Sequence, residues 1–290
     1  MMENILRPLY QERASHKNTL GIIIIEKTQH SVPVTDTFDT VLFVVVKNAD
    51  QPLSIKHYEY EHKKTSLYTV DETKLREWLL LGSNRRVVEW ILNGKVVFDR
   101  NEYLLDLKNE LVAFPPQERK LKMGIEFGKL IRRYLEGRAF FETKQYLDAY
   151  NHVIHALHHL ARLAIIENGL HPEVTVWNQV KQIEPQIYKL YQEIVASDET
   201  IDKRLELLFL ASEFLIHSRA KTGGSHLLDV LATKEGTWLF GEIVNHPELQ
   251  IYSVDLEAVL SFLIEKQMIA VEKVETKGPG IYHRKYYAIR

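Results

Sequence analysis

The chain of 290 residues contains no cysteine, which excludes disulfides, thiolate metal sites and cysteine nucleophiles. It also lacks an apolar run near the roughly 20 residues that a membrane-spanning helix needs, and its N-terminus lacks a signal-peptide core. The formal net charge is only −2, so no overall field draws the protein to nucleic acid or to an acidic membrane. We therefore expect a cytoplasmic protein with no membrane partner, in which any nucleic-acid site is a local patch.

Three blocks of different pattern are present, and they predict a multidomain α+β protein. The first block, residues 1–114, alternates strands and helices and predicts a mixed sheet domain. The second, residues 117–222, has no convincing strand and predicts an α-helical bundle. The third, residues 226–290, predicts a small winged helix-turn-helix domain. Paired prolines at 115–116 mark the first boundary, since they cannot continue a helix, and Lys221–Ser225 predicts a flexible linker at the second.

Within the first block, two runs are too apolar to have a polar face and so predict strands in the centre of a sheet, at residues 20–25 and 40–46. Residues 53–60 alternate and predict a half-exposed strand that returns over 65–70. Asp71 is the predicted cap of the helix that follows. Other elements are predicted from periodicity and turn residues: helices over 2–15, 72–81 and 84–92, and a strand over 95–98.

The helical periodicity of the second block predicts four long helices. They span residues 117–136, 139–168, 173–196 and 199–220. In the third block, three short helices precede two strands that are joined by the turn Gly278-Pro279-Gly280. The helices are predicted at 226–233, 237–246 and 254–266, and the strands at 268–275 and 281–289.

The segment Trp90–Arg100, WILNGKVVFDR, resembles the helix-Gly-strand-Asp segment of nucleotidyltransferase-like proteins. Together with the order of the three blocks, it makes the whole chain similar to the bacterial YgxA-like group of that family. The resemblance implies a nucleotidyltransferase-like mixed sheet domain, a helical substrate-binding-like bundle and a C-terminal winged helix. It covers nearly all 290 residues, and the block order carries more of it than any single motif.

The same resemblance implies a catalytic site in which carboxylates at strand ends hold divalent cations on nucleotide phosphates. The family has Gly-Ser after its first strand, where this chain has Glu26-Lys27. Its Asp-x-Asp motif corresponds to Asp39 and Val41, and its third carboxylate falls at Ser66. One of three expected ligands is therefore kept.

Several residues near this site keep other interpretations open. Asp36, or Glu59 in a shifted register, could replace a missing carboxylate. Lys27 could bind phosphate as a point charge or could be an ordinary loop lysine in water. Asp39 could equally be a polar residue that caps the entry of a strand. The Asp99-Arg100 pair is interpreted as structural, fixing the turn into the next helix.

A histidine-rich stretch lies inside the second predicted helix of the bundle. His152, His155 and His159 share one helical face, and Arg162 continues it. Imidazoles at this spacing can hold a transition metal, although no carboxylate stands between them as in a zinc-protease motif. They can also pack and hydrogen-bond within the bundle, or line a cleft where an anionic ligand meets Arg162.

The predicted third helix of the winged domain is acidic where base contacts would begin, with Asp255 and Glu257. The hairpin is the better candidate for contact with DNA or RNA. Its basic residues, interleaved with tyrosines, are Lys273, Lys277, His283, Arg284, Lys285 and Arg290. Among these, we expect Lys273, Lys277, Arg284 and Lys285 to contact nucleic acid. A winged helix that serves only protein contacts or dimerisation is the alternative.

These observations favour a regulatory protein that binds a nucleotide or another anion on a scaffold whose catalytic site is degenerate. Its ligand-binding residues would be Lys27, His152, His155, His159 and Arg162. The first alternative is an active nucleotidyltransferase in which Asp36 and Asp39 hold Mg²⁺ and which modifies a small molecule or an RNA end. The second alternative is a structural interaction module, which would be a homodimer.

Overall fold

The structure is a computed structural model that describes residues 2–27 and 34–289. The chain forms two compact units, each with its own hydrophobic core. The first contains the chain up to Pro115 and also the short segment His171–Thr175, and the second contains the remainder. Among the described residues, no helix is long and apolar enough to cross a membrane.

The first unit is a five-stranded mixed sheet with helices on both faces. Its elements are α1 (Met2–Ser15), β1 (Thr19–Glu26), β2 (Thr40–Val46), β3 (Leu53–Tyr60), β4 (Lys63–Asp71), α2 (Glu72–Leu81), α3 (Arg86–Asn93), β5 (Lys95–Asp99) and α4 (Tyr103–Ala113). The strand order is β3-β4-β2-β1-β5, in which β2 and β4 are parallel and every other neighbouring pair is antiparallel. The apolar strands β1 and β2 are interior strands, as predicted from their lack of a polar face.

Alternation along β1 and β2 divides the core of this unit into two layers. Ile23 and Phe43 point to the side covered by α2, α3 and α4. Ile22 and Leu42 point to the opposite side, where residues of α1 pack. Asp71 caps α2 by accepting a hydrogen bond from the Lys74 amide, as the sequence predicted. The bounds of helix α4 were not predicted, because Glu102 before it has a left-handed conformation and makes no cap hydrogen bond. The Asp99 carboxylate instead accepts from the Leu104 and Leu105 amides at 2.9 and 3.2 Å, which agrees with its interpretation as a structural residue at the turn into this helix.

The segment His171–Thr175 belongs to the first unit although it lies between helices of the second. The His171 ring stacks on Phe114, with centroids 4.1 Å apart. Its Nε2 lies 3.0 Å from the Leu111 carbonyl oxygen, to which it can donate a hydrogen bond. The first unit is therefore completed by residues about 60 positions beyond its last helix.

The second unit begins as a helical bundle. Its helices are α5 (Pro116–Glu142), α6 (Tyr146–Glu167), α7 (Val176–Ile183), α8 (Pro185–Ala196), α9 (Ile201–Ser218) and α10 (Ala220–Ala232). The predicted helix 139–168 begins later than expected, because the chain turns at Lys144, which has a left-handed φ of 62°. The predicted helix 173–196 is two helices, since Pro185 cannot donate the hydrogen bond that would continue the first.

The winged helix-turn-helix region follows directly on α10. It contains β6 (Trp238–Leu239), α11 (Phe240–Val244), a 3₁₀ segment (Gln250–Asp255), α12 (Leu256–Glu265), β7 (Ile269–Glu275) and β8 (Tyr282–Ala288). The three strands form a sheet in the order β6-β8-β7, and β7 and β8 are the predicted hairpin. Gly280 has a left-handed φ of 76° in the connecting turn.

The prediction of a flexible linker at Lys221–Ser225 is wrong. These residues lie inside α10, and both glycines are buried. A Cβ on Gly223 would lie 2.4 Å from the Phe127 ring of α5, and one on Gly224 would lie 2.8 Å from Leu263 of α12. The glycines therefore allow close helix packing, and one continuous core joins the bundle to the winged helix.

Candidate functional site

The expected metal ligands fall at the neighbouring ends of β1, β2 and β4. Val41 of β2 pairs with Ser66 of the parallel strand β4. On its other side Val41 pairs with Ile25. Val41 is 1% exposed and Ser66 is fully buried, so this row is part of the protein interior. An aliphatic chain and a hydroxyl thus stand where the resemblance expects two carboxylates.

Asp39 lies one step further out and is held by its neighbours. The Lys27 amide donates to the Asp39 carbonyl oxygen at 2.8 Å, and the Asp39 amide donates to the Lys64 carbonyl oxygen at 2.9 Å. In return, the Lys64 amide donates to Oδ2 of Asp39 at 2.8 Å. The Asp39 side chain therefore fixes the start of the β2–β4 pairing. Two exposed lysines, Lys27 after β1 and Lys64 of β4, flank it.

Asp36 does not supply a second free carboxylate. It forms a two-pronged ion pair with Arg86 at the start of α3, in which Nη2 donates to Oδ1 at 2.7 Å. Glu59, the other predicted substitute, is an exposed residue of β3 that pairs with Lys64. No group of three or more acidic or histidine side chains within residues 2–27 and 34–289 could hold a metal ion. The donors that the structure describes therefore do not fit the divalent cations that this fold implies.

Ser66 offers a direct test of this interior row. Its hydroxyl oxygen is buried and has no hydrogen-bond partner among the described residues. Because an unpaired buried hydroxyl costs stability, we expect Ser66→Ala to leave the free energy of unfolding unchanged or to raise it by up to about 1 kcal/mol. Urea denaturation of the two proteins measures this, and a loss above about 1 kcal/mol would show that the hydroxyl is satisfied in solution.

A buried carboxylate that the sequence analysis did not identify organises the face between α5 and α6. Glu126 is 3% exposed. Its Oε2 lies 2.9 Å from Nδ1 of His159 and 3.0 Å from Nε of Arg162, and its Oε1 lies 3.2 Å from Nζ of Lys129. Burial by itself would raise the pKa of the Glu126 carboxyl, but Arg162, His159 and Lys129 outweigh burial and lower that pKa. Two of the predicted ligand-binding residues therefore neutralise a buried charge.

The other two histidines of this face, His155 and His152, lie one and two helical turns before His159 and have different surroundings. His152 Nδ1 lies 3.0 Å from Oε2 of Glu136 and 3.5 Å from Nη1 of Arg133. His155 is exposed and has no carboxylate partner among the described residues. Its pKa is lowered by partial burial and then by Arg133, His159 and His152. The lowered pKa keeps the His155 imidazole neutral near neutral pH, and a bound anion would favour its protonated form.

The pairing of β7 with β8 does not place the four predicted nucleic-acid residues on one face of the hairpin. Lys273 of β7 lies directly opposite Arg284 of β8, whereas Lys285 lies opposite Glu272 on the other face. Lys277 is exposed in the connecting turn. The predicted single basic strip is therefore wrong in this respect, because neighbouring residues of a strand point to opposite faces. Arg290, also named in that strip, lies outside the described residues.

Helix α12 has little surface left for contacts. Arg132 of α5 donates to Asp255 just before α12, with Nε 2.5 Å from Oδ1. The ring of Phe127, also on α5, meets Phe262 edge-on at 5.7 Å. The exposed residues of α12 are Glu257, Ser261 and Glu265. Its free face is therefore acidic, as the sequence predicted, and would repel a phosphate backbone.

Glu126 and Arg86 are the functional candidates that sequence reasoning missed. The helical spacing of Lys122, Glu126, Lys129 and Arg133 resembles an exposed charged face, so nothing local showed that Glu126 is buried. Arg86 and Asp36 are 50 residues apart in the sequence, and only the fold brings them together.

Comparison with known proteins matches three families along the chain. A nucleotidyltransferase-like family matches residues 2–119, a YgxA-like substrate binding domain matches residues 120–219, and a helix-turn-helix domain matches residues 225–288. The chain is 56% identical over 285 residues to the Bacillus subtilis (strain 168) protein YgxA, which is described as uncharacterized. That similarity covers 98% of this chain and 97% of the relative.

A solved structure is also similar. The crystal structure of a nucleotidyltransferase-like protein from Exiguobacterium sibiricum 255-15 superposes with a TM-score of 0.82 at 40% sequence identity. The similarity covers 100% of both chains.

Proposed function

Since the chain belongs to the YgxA-like group of nucleotidyltransferase-like proteins, we propose that it is a non-catalytic regulatory protein that binds a nucleotide or another anion. One observation carries this proposal: at the strand ends of the first unit, buried Val41 and Ser66 occupy two of the three expected carboxylate positions. A metal-dependent transferase needs several carboxylates that converge on its cations. Here, Asp39 is bound by a backbone amide and Asp36 by Arg86.

The α5–α6 face is the proposed anion site, and the name of the matching family, a substrate binding domain, agrees with a ligand there. His155 lies among Arg133, His152 and His159, and its pKa is lowered first by partial burial and then by these neighbours. An anion placed beside His155 would relieve that repulsion. Glu126 would keep Arg162 and His159 in place, so these two residues would position the site more than contact the ligand.

The winged helix would contact nucleic acid, and anion binding at the α5–α6 face would change that contact. Its hairpin is the part that supports this role, because Lys273, Lys277 and Arg284 are exposed and have no ion-pair partner among the described residues. The second unit has one continuous core from the bundle to the winged helix. A ligand that changes the α5–α6 packing would therefore act on helices that also hold α12.

The proposal is tested by titration of Mg²⁺ or Mn²⁺ calorimetrically into the full-length chain, with and without ATP. We expect no metal site tighter than the millimolar affinity of an ordinary surface carboxylate pair, because the described residues at the β1, β2 and β4 ends do not bring together the donors that a tighter site needs. In a parallel assay with each of the four nucleoside triphosphates, we expect no metal-dependent release of pyrophosphate.

Asp39→Ala and Asp36→Ala are the diagnostic variants, and Asp50→Ala is the matched control, an exposed aspartate outside the strand-end region. All three should behave like the wild-type chain in both assays. Turnover that disappears in Asp39→Ala but persists in Asp50→Ala would establish an active nucleotidyltransferase instead. Absence of both nucleotide and nucleic-acid binding would favour a structural interaction module.

A further inference from the structure

The two faces of the β7–β8 hairpin differ in charge. On one face, Lys273 and Arg284 are directly opposite each other. Like charges at facing positions of an antiparallel pair destabilise the sheet unless something compensates them. Neither residue has an ion-pair partner among the described residues, and both are exposed. The Arg284 guanidinium lies 5.6 Å from the Tyr286 ring centroid, which holds it near the base of the hairpin.

On the other face the charges are balanced. Lys285 lies opposite Glu272 on β7. It is also close enough to Glu242 of α11 to lower the pKa of that carboxyl, after the larger effects of Lys234 and the Leu239 amide. Lys285 therefore has two nearby carboxylates, whereas Lys273 and Arg284 form an uncompensated pair. Arg284 is therefore a better candidate for phosphate contact than its neighbour Lys285.

An exposed aromatic side chain stands beside the uncompensated pair. Tyr282 is 51% exposed and is two residues before Arg284 on the same strand, so its ring is on the same face. Its facing residue on β7 is Glu275, which is the one carboxylate of this face. A flat exposed ring next to two cations is the combination that binds unpaired bases and their phosphates together. Helix-turn-helix proteins that recognise duplex DNA instead place a helix in the major groove. The acidic free face of α12 is unsuited to this groove, which is lined by phosphates.

We propose that this face of the hairpin, formed by Lys273, Arg284 and Tyr282, binds single-stranded nucleic acid. Lys273 and Arg284 neutralise consecutive phosphates, and a base stacks on Tyr282. Recognition is through backbone charge and stacking, so it is largely independent of sequence. The inference rests on the proposed nucleic-acid contact of the winged helix. It specifies the ligand as a single strand and the contact surface as the hairpin face of Lys273, Arg284 and Tyr282.

The test is fluorescence anisotropy of the full-length chain with labelled 20-nucleotide single strands of DNA and RNA and with the corresponding duplexes, over a range of salt. We expect single strands to bind more tightly than duplexes. Lys273→Ala/Arg284→Ala should reduce the magnitude of the salt slope by about 1.4, because each phosphate neutralised on a single strand contributes about 0.7. Tyr282→Leu should weaken single-strand binding roughly 5- to 150-fold, and Tyr282→Phe should not, since phenylalanine still stacks.

Arg284→Ala and Lys285→Ala are a matched pair, since each removes one cation from adjacent positions of one strand. We expect Arg284→Ala to weaken binding and Lys285→Ala to leave it within about twofold. Equal losses in the two variants would overturn the assignment of the face. The proposal would be overturned if duplexes bound more tightly than single strands and Tyr282→Leu left the affinity unchanged. It would also be overturned if the wild-type chain bound no strand at low salt. The absence of metal-dependent turnover is measured separately, so the two proposals can fail independently.

Discussion

Glu126→Ala is expected to lower the free energy of unfolding by about 3–5 kcal/mol, because it leaves the 5%-exposed Arg162 guanidinium without its counter-ion inside the bundle. Urea denaturation monitored by circular dichroism measures the loss. Glu136→Ala is the matched control on the same helix: Glu136 pairs with His152 and Arg132 but is 38% exposed, so its loss should cost less than about 1 kcal/mol. Equal effects of the two variants would show that Glu126 is hydrated in solution.

The same carboxylate predicts a pH dependence. Its pKa in the folded chain is lower than its ordinary value of 4.5, so as the pH falls the unfolded chain binds this proton first. The stabilisation from Glu126 is therefore complete above about pH 4.5 and is lost as the pH falls from there toward the folded pKa. In denaturation curves between pH 3 and pH 7, the difference in free energy of unfolding between the wild-type chain and Glu126→Ala should be constant above about pH 4.5 and should narrow toward pH 3.

Gly223→Leu is expected to destabilise the second unit by about 3 kcal/mol or more. The new side chain must enter a space in which even a Cβ would lie 2.4 Å from the Phe127 ring, and overpacking of a buried contact usually costs 1–3 kcal/mol for far smaller additions. Thermal unfolding and limited trypsin digestion at Lys221 report on this loss, since cleavage there requires α10 to open.

Gly241→Leu provides the control, because a Cβ at this exposed helical position has no neighbour within 4 Å. We expect its stability to stay within about 0.5 kcal/mol of the wild-type chain. Rapid tryptic cleavage at Lys221 of the wild-type chain under native conditions would contradict the structure and restore the linker interpretation.

The strands could be predicted because the information is local: the apolar runs of β1 and β2 identify interior strands. The parallel pairing that places Val41 beside Ser66 joins distant segments and was not predicted. The glycine pair at 223–224 could not be interpreted locally, since glycine permits both a mobile linker and close helix packing. Only the rings and side chains of distant helices decide between these two structures.

The candidate sites were predicted in part, for similar reasons. The resemblance to nucleotidyltransferase-like proteins identifies residues 41 and 66 as the positions that lack the family's carboxylates. In contrast, the separation of Arg284 from Lys285 depends on which face of β8 meets the core, and this is decided by the packing of Tyr286. The burial of Glu126 depends on the pairing of α5 with α6, which helical periodicity alone does not specify.

The place of His171–Thr175 in the first unit has a consequence for synthesis of the chain. When Pro115 emerges from the ribosome, the first unit still lacks the ring that stacks on Phe114 and bonds the carbonyl at the end of α4. Vectorial folding therefore cannot finish this unit until α5 and α6 have also been translated. A nascent sheet domain must therefore wait for a segment encoded within its neighbour before this contact can form.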